Sequence, residues 1–354
     1  MSPPNSAPPS GGLAQMLPAY FALVMATGIV SIACHLVGIP RIPPILLALN
    51  VFFYGTLWIL TIVRAVRYRD RFLADLSHHG RAVGFFTMVA ATGVLGSQCV
   101  IIAQAPEIAL WLWVLGIGLY FLLVYSIFTV LTVKPQKPTL AEGINGGWLV
   151  SVVATQSVAV LGAQLAPFVG CSEVVVFFSL VMWLGGGMLY FWIISLIFYR
   201  YTFLPMAPSD LSPPYWINMG AAAISTLAGT LIIGAREHSA VVLSILPFVR
   251  GFTLMWWATA SWWIPMLLVL GVWRHLIRHF PLRYDPLYWG AVFPLGMYTA
   301  ATVRLSSAVE APYLFVIPRC SVYIALAAWT LAFVGMVDSL VRPRLSRPVG
   351  RPAQ

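Results

Sequence analysis

The sequence predicts an all-α integral membrane protein of ten transmembrane helices arranged as five helical hairpins, on three observations. First, 60% of the 354 residues are hydrophobic and 8% are charged, and the mean hydropathy is +0.89. A soluble domain carries about 25% charged residues. Second, apolar runs of about 20 residues, the length that crosses a hydrocarbon core of roughly 30 Å, recur along the whole chain. Third, the basic residues gather between alternate runs. These features exclude a soluble catalytic domain of ordinary size.

The expected spans are 17–38, 42–66, 82–104, 108–133, 147–168, 173–200, 215–235, 252–277, 286–308 and 312–341. Only helices and closed barrels satisfy their backbone polar groups in lipid. Runs of this length without period-two alternation favour helices. The fifth span is the weakest, because Gln156 and Gln164 fall inside it. Residues 1–16, rich in Pro, Ser and Gly, are expected as a disordered lead, 17–341 as the membrane domain and 342–354 as a basic tail.

One side of these spans carries Arg64, Arg67, Arg69, Arg71, Arg81, Lys134, Lys137, Arg200, Arg274, Arg278, Arg283 and the four arginines of the tail. The opposite side carries Arg41, Arg236 and Arg250. The positive-inside rule places both termini in the cytoplasm of an inner (plasma) membrane, which agrees with an even number of spans. The net charge of +10 is this loop bias, and no nucleic-acid partner is expected. Cys34, Cys99, Cys171 and Cys320 lack CxxC spacing and read as buried or reduced thiols.

A pattern repeats in the odd-numbered spans. Span one has Tyr20, Thr27-Gly28 and Ser31; span three has Phe85, Thr92-Gly93 and Gly96; span five has Trp148, Thr155 and Ala159. Offsets of 7 and 11 fall on one helical face. Span seven keeps a looser version, either Trp216 with Ala223 or Asn218, Ser225 and Gly229, and span nine keeps Phe293, Ala300 and Arg304. Small residues also simply let helices pack closely. Their recurrence in every odd helix favours five faces converging on one axis around a narrow, mildly polar channel.

The opening PAYFALVMATGIVS (18–31) and the segment WGAVFPLGMYTAAT (289–302) resemble the tellurite-resistance/dicarboxylate transporter family, which includes slow anion channels, malate permeases and sulfite exporters. The resemblance covers 15–341. It implies five hairpins around a quasi-fivefold pore lined by the odd helices, a homotrimer with one pore per subunit, and a phenylalanine gate in the ninth helix. Phe293 takes that role, with Thr27, Gly28, Ser31, Thr92, Gly93, Gly96, Thr155, Ser225, Gly229, Gly296 and Ala300 as expected lining. The expected partners are small anions or C4-dicarboxylates and the lipid bilayer. No cofactor, metal or catalytic residue is expected.

Phe293, Gly296, Ala300 and Arg304 form one stripe, Arg304 lying about 16 Å beyond Phe293 at 1.5 Å per residue; Pro294 interrupts the ladder of hydrogen bonds there. Arg304 and Arg319 are the two basic residues inside spans and are candidates for attracting anions. A salt bridge from Arg304 to Glu310, or snorkelling, is the alternative. The acidic residues fall at span ends or in loops; His35, near the outer end of span one, is the one further candidate for a proton relay, and a packed histidine is the simpler reading of it. A channel or passive transporter therefore fits better than a proton-coupled carrier of dicarboxylate or sulfite. A membrane-embedded metal enzyme would draw on His78, His79, His275 and His279.

Overall fold

The computed structural model describes residues 12–341. The expected basic tail (342–354) and residues 1–11 of the expected lead lie outside the described residues. Among the described residues there are ten long helices: α1 (Ala22–Val37), α2 (Ile42–Arg67), α3 (Phe86–Ile101), α4 (Pro106–Val133), α5 (Val150–Leu165), α6 (Ser172–Phe203), α7 (Ile217–Gly234), α8 (Leu246–Val272), α9 (Trp289–Ala308) and α10 (Val316–Val341). Among the described residues, nine helical segments are long and apolar enough to cross a membrane. The chain is thus an all-α, multi-pass membrane protein. The segment outside that set is α9, whose apolar character is diluted by Thr299, Thr302, Arg304, Ser306 and Ser307. The eighth helix begins at Leu246, so Arg250, expected in a loop, sits in its first turns.

Consecutive helices pair as α1/α2, α3/α4, α5/α6, α7/α8 and α9/α10. The first member of each pair builds a closed ring: α1 packs on α3, α3 on α5, α5 on α7, α7 on α9, and α9 back on α1. Burial follows from this placement. Ring helices α1, α3, α5 and α7 are 78–94% buried along their apolar windows, whereas peripheral helices α2, α4, α8 and α10 are 22–28% buried. The periphery exposes Phe52, Trp111, Trp192, Trp262 and Leu331, side chains that lipid solvates as well as a protein core does.

Each ring helix opens with a short 3₁₀ turn: Pro18–Phe21, Val83–Phe85, Gly146–Leu149, Pro213–Trp216 and Pro286–Tyr288. Proline fits here because its fixed φ suits the first turn and its missing N–H has no helical acceptor at that point. The repeated aromatics Tyr20, Phe85, Trp148 and Trp216 all lie in these turns. At the other end, α1 stops because Gly38 takes φ 85°, and the Ile39 N–H donates back to the Cys34 carbonyl at 2.9 Å.

A second ring, of hydrogen bonds, ties each peripheral helix to the ring helix that follows it. Tyr54 of α2 pairs with Thr92 of α3 at 2.8 Å, and Tyr120 of α4 with Thr155 of α5 at 3.1 Å. Trp183 Nε1 of α6 donates to the Ser225 carbonyl of α7 at 2.8 Å, and Trp257 Nε1 of α8 to Thr302 Oγ1 of α9 at 3.0 Å. Trp329 Nε1 of α10 closes the circle on Thr27 Oγ1 of α1 at 3.0 Å.

The basic loop after α2 is folded rather than open. It forms helices Arg69–Leu76 and His79–Ala82, and the buried Asp75 accepts from Arg64 Nη2 at 2.5 Å and from Arg81 Nη2 at 3.2 Å, with Arg81 Nε paired to its other oxygen at 2.6 Å. All four cysteines are free; Cys34 and Cys99 are buried as expected, whereas Cys171 and Cys320 are exposed.

Candidate functional site

Two cavities lie at opposite ends of the five-helix ring. The one where the ring helices begin (the N-side cavity, about 100 Å³) is bordered by Ala22, Thr87, Val150, Ile217 and Gly290, one residue from each ring helix. The one towards their C-terminal ends (the C-side cavity, about 20 Å³) is bordered by Ile29, Val94, Ser157, Ile224 and Met297, again one from each. Both sets are related by the same offsets of 65, 63, 67 and 73 residues, so the five helices present equivalent positions to each cavity. A volume of about 20 Å³ accommodates roughly one water. The C-side cavity holds nothing larger in this conformation.

One helical turn beyond the N-side set, the same offsets select Met25, Ala90, Val153, Gly220 and Phe293. All five are buried, and Phe293 (1% exposed) and Met25 (2%) also border the N-side cavity. These two are the bulky members of a set otherwise made of Ala, Val and Gly. Helix α9 continues through Pro294. Its ring packs at Gly220 of α7, where a Cβ would stand 2.7 Å from Pro294 Cγ, so glycine is what allows α9 to approach so closely.

Arg304 stands at the C-side cavity, three turns beyond Phe293 on the same helix. It forms no ion pair among the described residues, with Glu310 or any other carboxylate, and no hydrogen bond. Within the same cavity, Ser97 of α3 is 3% exposed and its hydroxyl has no partner; Gln164 of α5 holds a buried carboxamide oxygen that is also unpartnered. Arg319 is exposed on α10, with its guanidinium 5.4 Å from the Phe315 ring centroid, away from both cavities.

Of the residues expected along the axis, Phe293 borders the N-side cavity, and Gly93 and Arg304 the C-side one. The others take part in helix contacts. Thr27, Thr92, Thr155 and Ser225 belong to the hydrogen-bond ring with the peripheral helices. Ser31 donates to the Pro43 carbonyl of α2 at 2.8 Å. Gly28 sits against Asn50, Val94 and Gln98; Gly96 against Leu161; Gly229 against Thr253 and Trp183; Gly296 against Ile29 and Val30; and Ala300 is fully buried. Met25, Ser97, Gln164 and Met297 were not singled out from sequence, although the offsets carried from Phe293, Ala300 and Arg304 reach the first three. His35 is exposed rather than packed. His78 Nδ1 accepts from the Gly80 N–H, His275 Nδ1 lies 2.9 Å from the Phe280 carbonyl oxygen, and no group of three metal-ligating side chains occurs among the described residues.

A ring of five buried helices with a cavity at each end, inside a sleeve of lipid-facing helices, defines a membrane transport protein. The chain belongs to the voltage-dependent anion channel family, whose model matches residues 15–337. It is similar to an uncharacterised membrane protein of Mycobacterium tuberculosis, 42% identical over 41% of this chain and 74% of that one. An uncharacterised transporter of Methanocaldococcus jannaschii is 24% identical over 80% of this chain and 82% of its own length. A sulfite efflux pump of Arthroderma benhamiae is 22% identical over 89% of this chain and 88% of its own.

Proposed function

We propose that the chain is a passive conduit for small anions, with its path along the axis of the five ring helices and its gate at Phe293, helped by Met25. The observation that carries this reading is the pair of cavities on one axis, separated by the Phe293 set, with an unpaired arginine on one of them. By the distribution of basic residues, the N-side cavity faces the cytoplasm of the plasma membrane, as do both termini, and Arg304 faces outward. An anion entering the narrow part exchanges hydration for side-chain donors, and the Arg304 charge offsets part of that desolvation. Sulfite is the leading substrate, since the fungal relatives are named sulfite efflux pumps; nitrate, chloride, tellurite-related anions and C4-dicarboxylates are the competitors. Assembly as a homotrimer belongs to the same proposal and is read from native mass spectrometry of the detergent complex.

The test is anion flux in proteoliposomes for wild type and Phe293→Ala with sulfite, nitrate, chloride and malate. Conduction by the alanine variant far above wild type, with anions strongly outpacing cations, supports the gated path. The word "pump" in the relatives' names favours a second reading, a coupled carrier. Saturable exchange of sulfite or a dicarboxylate by wild type, with no gain in the alanine variant, would establish that reading instead.

A further inference from the structure

The C-side cavity has a chemistry that a path for anions in general does not require. Its wall is apolar, with Ile32, Leu36 and Ile101 among its residues, yet three polar side chains reach it from three different ring helices. Arg304 comes from α9, Ser97 from α3 and Gln164 from α5. Helices α3 and α5 are neighbours in the ring, and neither is a ring neighbour of α9. The arginine therefore approaches from one side and the serine and glutamine from the other.

All three are unspent. Arg304 has no carboxylate or carbonyl partner among the described residues. Ser97 Oγ is buried without a partner, and the Gln164 carboxamide makes no hydrogen bond. Leaving buried polar groups unpaired costs about 1–3 kcal/mol each, and native proteins rarely leave several together. Two such atoms, Ser97 Oγ and Gln164 Oε1, and a half-buried arginine without a partner converge on one small cavity.

We propose that Arg304, Ser97 and Gln164 form a coordination site for a small single-centre oxyanion, of the sulfite or nitrate kind, and set selectivity for it over halide. The proposal rests on the anion-path reading and names the step that discriminates. A guanidinium fork matches two oxygens of one anion side by side. The serine O–H and, once the carboxamide turns its nitrogen in place of the buried Oε1, the glutamine N–H₂ add donors from the opposite side, where a third oxygen projects. A spherical halide offers one centre and cannot meet donors on both sides at short distance. The apolar wall strips water, so the anion that keeps the most contacts passes most readily. A three-oxygen anion is admitted by rotation of the two long side chains, Arg304 and Gln164, both half-buried.

The experiment has two arms on the full chain. In the first, isothermal titration calorimetry in detergent measures sodium sulfite, sodium nitrate and sodium chloride against wild type, Ser97→Ala, Gln164→Leu, Arg304→Gln and Arg304→Lys. Ser97→Ala and Gln164→Leu are each expected to lower the sulfite-to-chloride affinity ratio about tenfold, on the scale of one charge-assisted hydrogen bond. Arg304→Gln is expected to abolish binding of all three anions, and Arg304→Lys to restore binding without the preference. In the second arm, the same substitutions are placed on Phe293→Ala and the sulfite-to-chloride flux ratio is measured. Wild-type selectivity retained in the serine and glutamine variants, or no anion binding by wild type at all, overturns the site. Flux with an unchanged ratio would sink the site while the conduction reading stands. A lost binding preference in a protein that carries no flux would keep the site and sink passive conduction.

Discussion

Trp329 in the last helix donates its indole N–H to Thr27 in the first, 3.0 Å away across 302 positions of the chain. The bond closes a circle whose other four members join helices adjacent in sequence. Trp329 also stacks on Phe333, with ring centroids 5.0 Å apart, so its indole is held in place for the contact. Replacing Trp329 by Phe or Thr27 by Val strands one buried polar partner and should cost about 1–3 kcal/mol. The double substitution removes both partners and should cost less than the sum of the two. Thermal midpoints of the detergent-solubilised variants measure this, and strict additivity would show that the bond contributes nothing.

Met25 shares a set with Phe293 and borders the same cavity. If both side chains close the path, Met25→Ala should raise anion flux in proteoliposomes above wild type, though less than Phe293→Ala, because it removes the smaller side chain. The double variant should exceed either. A silent Met25→Ala beside a conducting Phe293→Ala would assign closure to the phenylalanine alone.

Asp75 is the carboxylate that compensates Arg64, whose side chain is 3% exposed. Asp75→Asn leaves that guanidinium buried beside a neutral amide. Breaking a buried pair from one side costs about 3–5 kcal/mol, so a large fall in thermal midpoint is expected. Arg81→Gln should cost much less, because Arg81 is 31% exposed and water can replace it. Equal losses from the two substitutions would contradict the burial argument.

Gly146 packs against backbone rather than against a flexible side chain: a Cβ there would stand 2.5 Å from the Tyr215 Cα. Neither main chain can yield without moving the 3₁₀ turns that open α5 and α7. Gly146→Ala should therefore destabilise by about 1–3 kcal/mol, in the range of overpacking. Gly118→Ala is the control, because nothing lies within 4 Å of its added carbon. Size-exclusion profiles and thermal midpoints compare the two.

The hairpins were legible because apolar length and basic loops are local signals. The threonine repeat was also legible, but its direction was not. Thr27 lies two residues from both Met25 and Ile29, about 200° around the helix, so the repeated hydroxyls meet the peripheral helices rather than the side that carries Met25 and Ile29. A repeat in sequence marks equivalent positions without saying which face meets the partner. What identifies the axial face is the offset carried between helices: Arg304, moved back by 73 and then 67 residues, lands on Gln164. Ser97 carried no signal of its own, since a single serine in an apolar helix is ordinary until the structure shows its hydroxyl without a partner.

The weak apolarity of α9 bears on how the protein is made. Of the ten long helices among the described residues, the one that carries Phe293 and Arg304 is outside the set able to cross a bilayer on length and composition, and a charged side chain adds to the cost of entering lipid alone. Its hydroxyls and its arginine are tolerable once α1 and α7 flank it. During synthesis α9 should leave the insertion machinery together with α10, as a late passenger received by helices already in place. Its degradation before assembly would be the first fault of a chain shortened within α10.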